Sequence, residues 1–428
     1  MLIAHKVALD PNKKQRDYFA RAAGTARFAW NWALGEWQAE HKAGGKPSEV
    51  ALRRKLNGLK REQFPWMYDV SKCAVQESLI DLGTAFNNFF RDCKKPKAQR
   101  HFGYPKFKSR DARRSFCAAN EAKTFRVFGK KIALPVVGTV RMREELRFTG
   151  KRFTRRHGEV KVKPKRVTVS FEAGRWFASI QVEIDGLKPA TSLQDTVGID
   201  LGVNTLAALA CIETGSACAE EGPKALKKSL LKLRRANKCL ARKQKKSKNR
   251  FRAKLRLQKV HARIANQRKD ATHKLTTKAA KTYRVVGIED LNVTGMASGN
   301  LAKSVMDQGF YEIRRQLEYK CRWYGSTLIA VGRYYPSSKI CSCCGVVKDH
   351  LPRAKSGTRN MFECDDCGFV CDRDINAAFN IAREASRIVA ASSAVTVCGE
   401  RRSGPVRKPR VKRRSVKQEE TMPNLEAT

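Results

Sequence analysis

Apolar residues recur at helical spacing in three early segments of the chain, residues 13–43, 49–64 and 74–93. A short run with strand character precedes them at residues 2–10. From about residue 122 to residue 187 the spacing changes to alternation, with turn residues between short β-branched runs. This part of the chain therefore predicts three helices and a small antiparallel barrel or sandwich, which the N-terminal strand could join.

The pattern changes again near residue 196, where short apolar runs begin to alternate with longer helical segments. Strand character is found at 196–202, 206–211, 284–289 and 326–331, and helical spacing at 306–324, at 375–390 and, as two long helices, over 224–281. Because strands that alternate with helices are typical of α/β sheets, the second half of the chain predicts an α/β unit.

Positive charge dominates the composition: 88 Lys and Arg stand against 40 Asp and Glu in 428 residues, which gives a formal charge of +48. Residues 224–281 alone contain 23 Lys and Arg and a single acid, Asp270. Such a charge predicts a polyanionic partner, and nucleic acid is the expected one. The two helices of this segment are expected to line a channel for backbone phosphate, with a merely solvated basic surface as the alternative.

Length and composition indicate a multidomain globular protein and argue against a membrane or secreted one. The chain is long enough for roughly three compact units, and 42% apolar residues are ample for their cores. No stretch approaches the roughly 18 uninterrupted apolar residues of a membrane span, so no membrane partner is expected. The N-terminus lacks the pattern of a signal peptide and most cysteines are scattered, which together favour a cytoplasmic protein with reduced thiols. The many Lys and Arg residues of segment 396–428, with Pro and Ser between them, predict a disordered basic tail.

Four cysteines form two CxxC pairs, each followed by glycine: Cys341 with Cys344, and Cys364 with Cys367. Nineteen residues separate the two pairs, a spacing typical of a zinc ribbon with one tetrahedral Zn²⁺. Because four thiolates fill the coordination sphere, such a zinc is structural. Four packed thiols without metal are the alternative. Two further cysteines nearby, Cys343 and Cys371, are left out of the ligand set.

Three acids stand in similar local settings: Asp200 and Glu289 each end an apolar strand, and Asp374 opens a helix. Buried carboxylates need a compensating cation, and these three could converge on a pair of Mg²⁺ ions for two-metal phosphodiester hydrolysis. Taken singly, Asp374 could instead be a helix N-cap and Glu289 a surface acid. Asp372 competes with Asp374 for the third place, and Asp374 is preferred because it directly precedes the apolar helix.

Several segments resemble one family of proteins. They read GIDLGVNT at 198–205, GIEDLN at 287–292, PSSKICSCCG at 336–345 and CDDCG at 364–368, which leads into DRDINAA at 372–378. Upstream, FAWNW at 28–32 and GYPKFKS at 103–109 add to the likeness. The sequence resembles the TnpB (OrfB) family of transposon-encoded RNA-guided nucleases, which are related to the type V CRISPR effectors. The likeness covers residues 1–395.

The resemblance implies an α/β multidomain protein with an RNase H-like (RuvC) nuclease domain. Asp200, Glu289 and Asp374 map onto the catalytic acids of the family, and Cys341, Cys344, Cys364 and Cys367 onto its zinc ligands. The implied domains are an antiparallel β-barrel wedge domain at 1–10 and 115–190, an N-terminal helical recognition domain at 11–114, the RuvC domain at 191–336 and 371–395, and an inserted zinc ribbon for target nucleic acid at 337–370.

The implied activity is RNA-guided DNA cleavage. A guide RNA transcribed from the transposon end would pair with double-stranded target DNA beside a short duplex motif. Two other functions remain open: a nuclease-inactive, RNA-guided repressor, and a transposase that transfers a DNA strand by the same two-metal chemistry. A third, an ATPase that uses the GIDLG segment as a phosphate loop, would need further glycine-rich loops, which the sequence lacks.

Overall fold

The α-helices account for nearly half of the described chain. The computed structural model describes residues 2–110, 112–120, 124–146, 162–184, 194–299, 301–349 and 361–398, so the predicted tail beyond residue 398 lies outside them. The helices are α1 (Lys13–Lys42), α2 (Glu49–Gln63), α3 (Lys72–Cys93), α4 (Ala225–Ala241), α5 (Lys248–Thr282), α6 (Val293–Met296), α7 (Ala302–Gln308), α8 (Phe310–Tyr324) and α9 (Arg373–Cys398). In the described part of the chain, none of them combines the length and apolar character that crossing a bilayer requires.

The strands form two large sheets and one small one. They are β1 (Leu2–Asp10), β2 (Arg114–Ala119), β3 (Arg126–Phe128), β4 (Lys131–Leu134), β5 (Gly138–Met142), β6 (Val162–Glu172), β7 (Arg175–Ile184), β8 (Gln194–Asp200), β9 (Ala207–Cys211), β10 (Ala217–Glu220), β11 (Tyr283–Glu289), β12 (Thr327–Val331), β13 (Met361–Glu363) and β14 (Val370–Asp372). Alternating burial along β7 shows that one face of its sheet is packed and the other is more open.

The first sheet is antiparallel and has the strand order β2-β6-β7-β1-β5-β4-β3. The N-terminal strand β1 lies inside it, paired with β7 on one side and with β5 on the other. The predicted antiparallel unit that includes the N-terminal strand is therefore confirmed. Among the described residues the edge strands β2 and β3 do not pair with each other, so closure into a barrel stays a prediction.

Helices α1 and α3 pack together and contact this sheet. Two tryptophans of α1 point into their core: Trp37 stacks on Phe86 of α3 with ring centroids 4.0 Å apart, and Trp30 donates its indole N–H to the Lys106 carbonyl at 3.0 Å. Both indoles are buried. Core packing therefore explains the positions of these two side chains.

The second sheet has the order β10-β9-β8-β11-β12 and is mixed. Its strands β8, β11 and β12 are parallel, whereas β9 and β10 are antiparallel to their neighbours. Helices α5 and α8 cover one face through Leu275, Ile313 and Leu317, and α9 covers the other through Ala378. The predicted α/β sheet is confirmed, with a helical layer on each side.

Two glycines allow α9 to lie directly on the sheet. Gly198 of β8 and Gly287 of β11 are register partners. A Cβ added to Gly198 would lie 1.9 Å from the Ala378 carbonyl oxygen, and one added to Gly287 would lie 2.8 Å from the Ala385 Cβ. Gly198, the first glycine of the GIDLG segment, is therefore required by helix packing, and its presence does not need a phosphate loop as an explanation.

Candidate catalytic and zinc sites

Asp200 and Glu289 lie side by side at one edge of the mixed sheet. Each is the last residue of its strand, and the parallel pairing of β8 with β11 matches Ile199 to Ile288 immediately before them. The carboxyl ends of parallel strands are the usual position of functional groups in open α/β sheets. Asp200 and Glu289 therefore lie on neighbouring strands at the same end of the sheet.

Asp374 reaches the same edge from the first turn of α9. Its Oδ2 lies 3.6 Å from the position that a Cβ on Gly202 would occupy, two residues beyond Asp200. Burial, followed by the negative charges of Glu289 and Asp374, raises the pKa of Asp200 to about 8. The structure therefore brings together the three acids that were singled out by sequence, although their catalytic role stays a prediction.

Asp372 has a different task from Asp374. Its Oδ1 accepts hydrogen bonds from the backbone N–H of Asp374 at 2.9 Å and of Ile375 at 3.3 Å, so Asp372 caps α9. The alternative in which Asp374 is the cap is wrong, because that position is taken by its neighbour. Burial, followed by the charge of Asp372, raises the pKa of the Asp374 carboxyl.

This donor set fits divalent cations such as Mg²⁺. Carboxylate oxygens are the protein ligands that Mg²⁺ prefers. The burial and mutual repulsion that keep Asp200 protonated near neutral pH are offset when a divalent cation binds, because the cation favours the ionised carboxylates. Asp200, Glu289 and Asp374 are the residues that would hold it.

Ser337 is a neighbour of the acids that the sequence did not reveal. This buried serine donates its hydroxyl to Oε1 of Glu289. Its own carbonyl accepts a hydrogen bond of 2.8 Å from Nδ2 of Asn380, a buried residue of α9. The helix that carries Asp374 therefore also fixes the backbone of the residue that contacts Glu289. Only the two polar residues on the apolar face of α9, Asn376 and Asn380, could have signalled this connection.

The four predicted zinc ligands converge. The Sγ atoms of Cys341, Cys344, Cys364 and Cys367 all lie within 4.8 Å of one another. Cys341 and Cys367 are 3.7 Å apart, and Cys344 and Cys364 are 3.6 Å apart. Sulfurs bound at 2.3 Å to a tetrahedral zinc stand about 3.8 Å from each other, so the geometry fits Zn²⁺.

Backbone conformation explains the glycine after each CxxC pair. Gly345 has φ +82° and Gly368 has φ +68°, backbone angles that residues with a Cβ atom rarely adopt. Each closes a tight turn by donating its N–H to the carbonyl of the first cysteine of its pair, at 3.0 Å. Exposed Cys343 and half-buried Cys371 stand outside the cluster of four.

The cysteine cluster is joined to α9 through Asn376. Its Oδ1 accepts from the N–H of Ser342, between the first two ligands, at 2.8 Å, and its Nδ2 donates to the Ile340 carbonyl at 2.7 Å. Asn376 lies two residues after Asp374. One short stretch of helix thus contacts both candidate sites.

Comparison with known proteins gives the family. A model described as "Probable transposase" (OrfB, IS605 type) matches residues 179–299, and a model of the Cas12f1-like TNB domain matches residues 310–381. Proteins named "Putative RNA-guided DNA endonuclease" match nearly end to end. The one from Streptomyces pristinaespiralis is 35% identical over 97% of this chain and 96% of its own length. This chain belongs to the TnpB (OrfB) family.

A second TnpB-family relative, InsQ of Escherichia coli K12, carries the same descriptive name and is 32% identical over 93% of this chain and 94% of its own. Among solved structures, the cryo-EM structure of a Cas12f1–sgRNA–target DNA complex matches with a TM-score of 0.52 at 15% identity. It covers 87% of this chain and 83% of that one, and it supports the shared α/β fold.

The TnpB-family models divide the two candidate sites between them. The first spans Asp200 and Glu289, and the TNB model spans the four cysteines together with Asp374. A third model, described as a helix-turn-helix domain, matches residues 1–46. In this TnpB-family chain the described part of that region is strand β1 followed by the single 30-residue helix α1.

Proposed function

We propose that this chain is an RNA-guided DNA endonuclease in which Asp200, Glu289 and Asp374 hold two Mg²⁺ ions against the scissile phosphodiester of target DNA. The observation that carries the proposal is the convergence of these three carboxylates, from distant segments, at the carboxyl edge of one sheet. The names of the two relatives and the target DNA in the Cas12f1 complex support the substrate.

Each residue of the candidate site has its own role in the proposed reaction. Asp200, Glu289 and Asp374 bind and space the cations, and Ser337 keeps Glu289 in one orientation by its hydroxyl. Helix α9 carries Asp374 to the site. When bound, two Mg²⁺ ions activate water and stabilise the leaving oxygen of an in-line displacement. Asp200 would have to lose its proton to hold a cation, because its raised pKa favours the neutral form in the free protein.

The proposed domains, structural zinc and nucleic-acid partners are those of the TnpB family. Residues 1–10 and 115–190 would form the barrel-like wedge domain, 11–114 the recognition domain, 191–336 and 371–395 the RuvC domain, and 337–370 the ribbon that holds one structural Zn²⁺. A guide RNA from the transposon end and double-stranded target DNA would be its partners, in the prokaryotic cytoplasm. The mixed sheet with α9 across it supports the RuvC assignment.

Alanine variants of the three acids test the proposal. With the native guide RNA bound, we expect Asp200→Ala, Glu289→Ala and Asp374→Ala each to abolish Mg²⁺-dependent cleavage of target DNA while guide and target still bind. Asp195→Asn is the matched control, since Asp195 lies on the same strand but is paired with Arg284. Full cleavage by all three alanine variants would end the proposal.

The products and the wild-type controls separate the alternatives. Cut ends with a 3′-hydroxyl and a 5′-phosphate support hydrolysis. Joined strands would instead indicate a transposase, and guided binding without any cutting by the wild-type protein would indicate a repressor.

A further inference from the structure

Residues 100–108, here called the aromatic loop, connect α3 to the strand β2 without regular secondary structure. The start of this loop is fixed by Asp92, a fully buried residue near the end of α3. One carboxylate oxygen, Oδ2, accepts from the backbone N–H groups of His101 at 2.7 Å and Phe102 at 2.9 Å. These contacts hold the pKa of Asp92 well below its usual range, first through its bond to Lys95 and then through the two backbone donors.

Helix α1 fixes the other end of the aromatic loop. Trp30 donates its indole N–H to the Lys106 carbonyl at 3.0 Å. Asn31 donates to the Lys108 carbonyl at 3.0 Å and accepts from the Lys108 N–H at 2.8 Å. A loop with buried anchors at both ends has one preferred backbone conformation, so its outward side chains are presented in a fixed arrangement.

Two of those outward side chains are phenylalanines. Phe102 is 48% exposed and Phe107 is 55% exposed. Tyr104, between them in sequence, is 43% exposed, and its ring packs edge-on against Phe86 and Phe89 with ring centroids 5.4 and 5.3 Å away. Single exposed apolar residues are normal on a protein surface. Two half-exposed aromatic rings on one anchored loop are less common than a single one.

Charge indicates what kind of partner would cover them. Residues 91–110 contain eight Lys and Arg and one acid, Asp92, and that acid is buried beneath the loop. Lys106 is exposed between the two phenylalanines. Aromatic faces set among cations are the elements of single-strand recognition, in which bases stack on rings and phosphates meet lysines. A protein partner would need acidic groups to match these cations, whereas the backbone of a nucleic acid supplies the negative charge in every nucleotide.

We infer that Phe102 and Phe107 of the aromatic loop stack with unpaired bases of a nucleic-acid strand while Lys106 contacts its backbone. The site is separate from the clustered carboxylates and does not depend on the proposed cleavage activity. Single-stranded RNA and single-stranded DNA share the chemistry that it recognises, and the experiment distinguishes them.

The test compares strands that differ only in their bases. Full-length protein, freed of co-purified nucleic acid, is titrated at fixed salt with a labelled ten-nucleotide single strand and with an abasic strand of equal length and charge, each as RNA and as DNA. The ratio of the two dissociation constants measures the contribution of the bases. We expect Phe102→Leu with Phe107→Leu to reduce this ratio by about tenfold, because leucine keeps apolar area but removes the flat ring.

Controls keep the outcome specific to the loop. Phe128→Leu, a change at a similarly exposed phenylalanine (50%) on β3, should leave the ratio unchanged, and Lys106→Gln should weaken the intact and abasic strands equally. Whichever of RNA or DNA shows the larger reduction of the ratio in the double variant is the strand that the loop binds. An unchanged base ratio in the double variant overturns the inference, as does an equal loss of affinity for intact and abasic strands.

Discussion

The hydroxyl of Ser337 is the one described side-chain group that reaches Glu289 from outside the mixed sheet. A carboxylate that must hold a cation in one position benefits from a partner on its second oxygen, since partners of metal ligands typically change affinity or activity 10- to 100-fold when removed. Ser337 is well placed for this, because its own backbone is held by Asn380.

We therefore expect Ser337→Ala to lower guided DNA cleavage by roughly 10- to 100-fold, with guide and target binding unchanged. Ser337→Thr keeps the hydroxyl and should restore most of the rate. Mn²⁺ affinity of the guide-bound protein, measured by paramagnetic resonance, should fall in the alanine variant and recover in the threonine variant. Ser338→Ala is the adjacent control. Equal rates and equal Mn²⁺ affinity for Ser337→Ala and wild type would show that the hydroxyl does not position Glu289.

Single residues of the carboxylate cluster were predictable from the sequence where an acid stood in an apolar segment. Asp200 and Glu289 stood out because a carboxylate directly after an apolar strand is costly without a partner. Asp374 was preferred to Asp372 because it directly precedes the apolar run of α9, and the cap hydrogen bond that gives Asp372 its separate role is visible only in the structure. Ser337 gave no signal, because its contact with Glu289 joins residues 48 positions apart.

The contact of α9 with the mixed sheet is the feature of element packing on which the carboxylate cluster depends. Gly198→Ala should disrupt it, because the new methyl group would meet the backbone of Ala378 and Ala382 rather than a flexible side chain. Overpacking of this kind costs about 1–3 kcal/mol or more, and α9 must move, together with Asp374. We expect a lower melting temperature by calorimetry and loss of cleavage.

Gly35→Ala is the matched control for that substitution. Gly35 lies inside α1, and a Cβ there would meet nothing within 4 Å. Alanine is the better helix former by roughly 0.5–1 kcal/mol, so this variant should be as stable as wild type or more stable. If Gly198→Ala were equally well tolerated, the close approach of α9 would not be required.

The predicted zinc ribbon gives a second testable prediction at the level of secondary-structure elements. We expect about one zinc per chain by elemental analysis, bound with an apparent free energy on the order of 10 kcal/mol. The double variant Cys364→Ser, Cys367→Ser should lose the metal, and hydrogen exchange over β13 and β14 should rise. Cys343→Ser should keep the zinc, because Cys343 stands outside the cluster. Wild-type protein that contains no zinc would refute the assignment.

Elements with a strong local pattern were predictable, and those defined by distant contacts were not. The apolar spacing predicted α1, α2 and α3 to within about two residues. It did not indicate β13 and β14, which are three residues each and exist through their pairing next to the cysteines. Nor did it reveal that residues 100–108 are anchored at both ends, since the anchoring residues Asp92, Trp30 and Asn31 lie on helices α3 and α1.

Across the whole molecule, nearly half of the excess positive charge lies in residues 224–281, which form the packed helices α4 and α5. The pair is attached by Asp307 of α7, whose carboxylate accepts from the N–H of Leu226 at 2.9 Å and so satisfies the start of α4. A buried acid thus holds in place a hairpin whose own residues are almost all cationic or neutral.

Nucleic-acid binding by this hairpin should appear as a dependence on salt. Lys228, Arg235 and Lys238 are exposed and share one face of α4 with the exposed Leu231. If all three cations contact phosphates, their joint replacement by Gln lowers the slope of log affinity against log salt by about 2 to 3, because each contact contributes roughly 0.7 to 0.9. Leu231→Gln changes the same face without changing its charge and should leave the slope unaltered. An unaltered slope in the triple variant would mean that this face of the hairpin is solvated surface, and that the +48 charge acts on nucleic acid elsewhere.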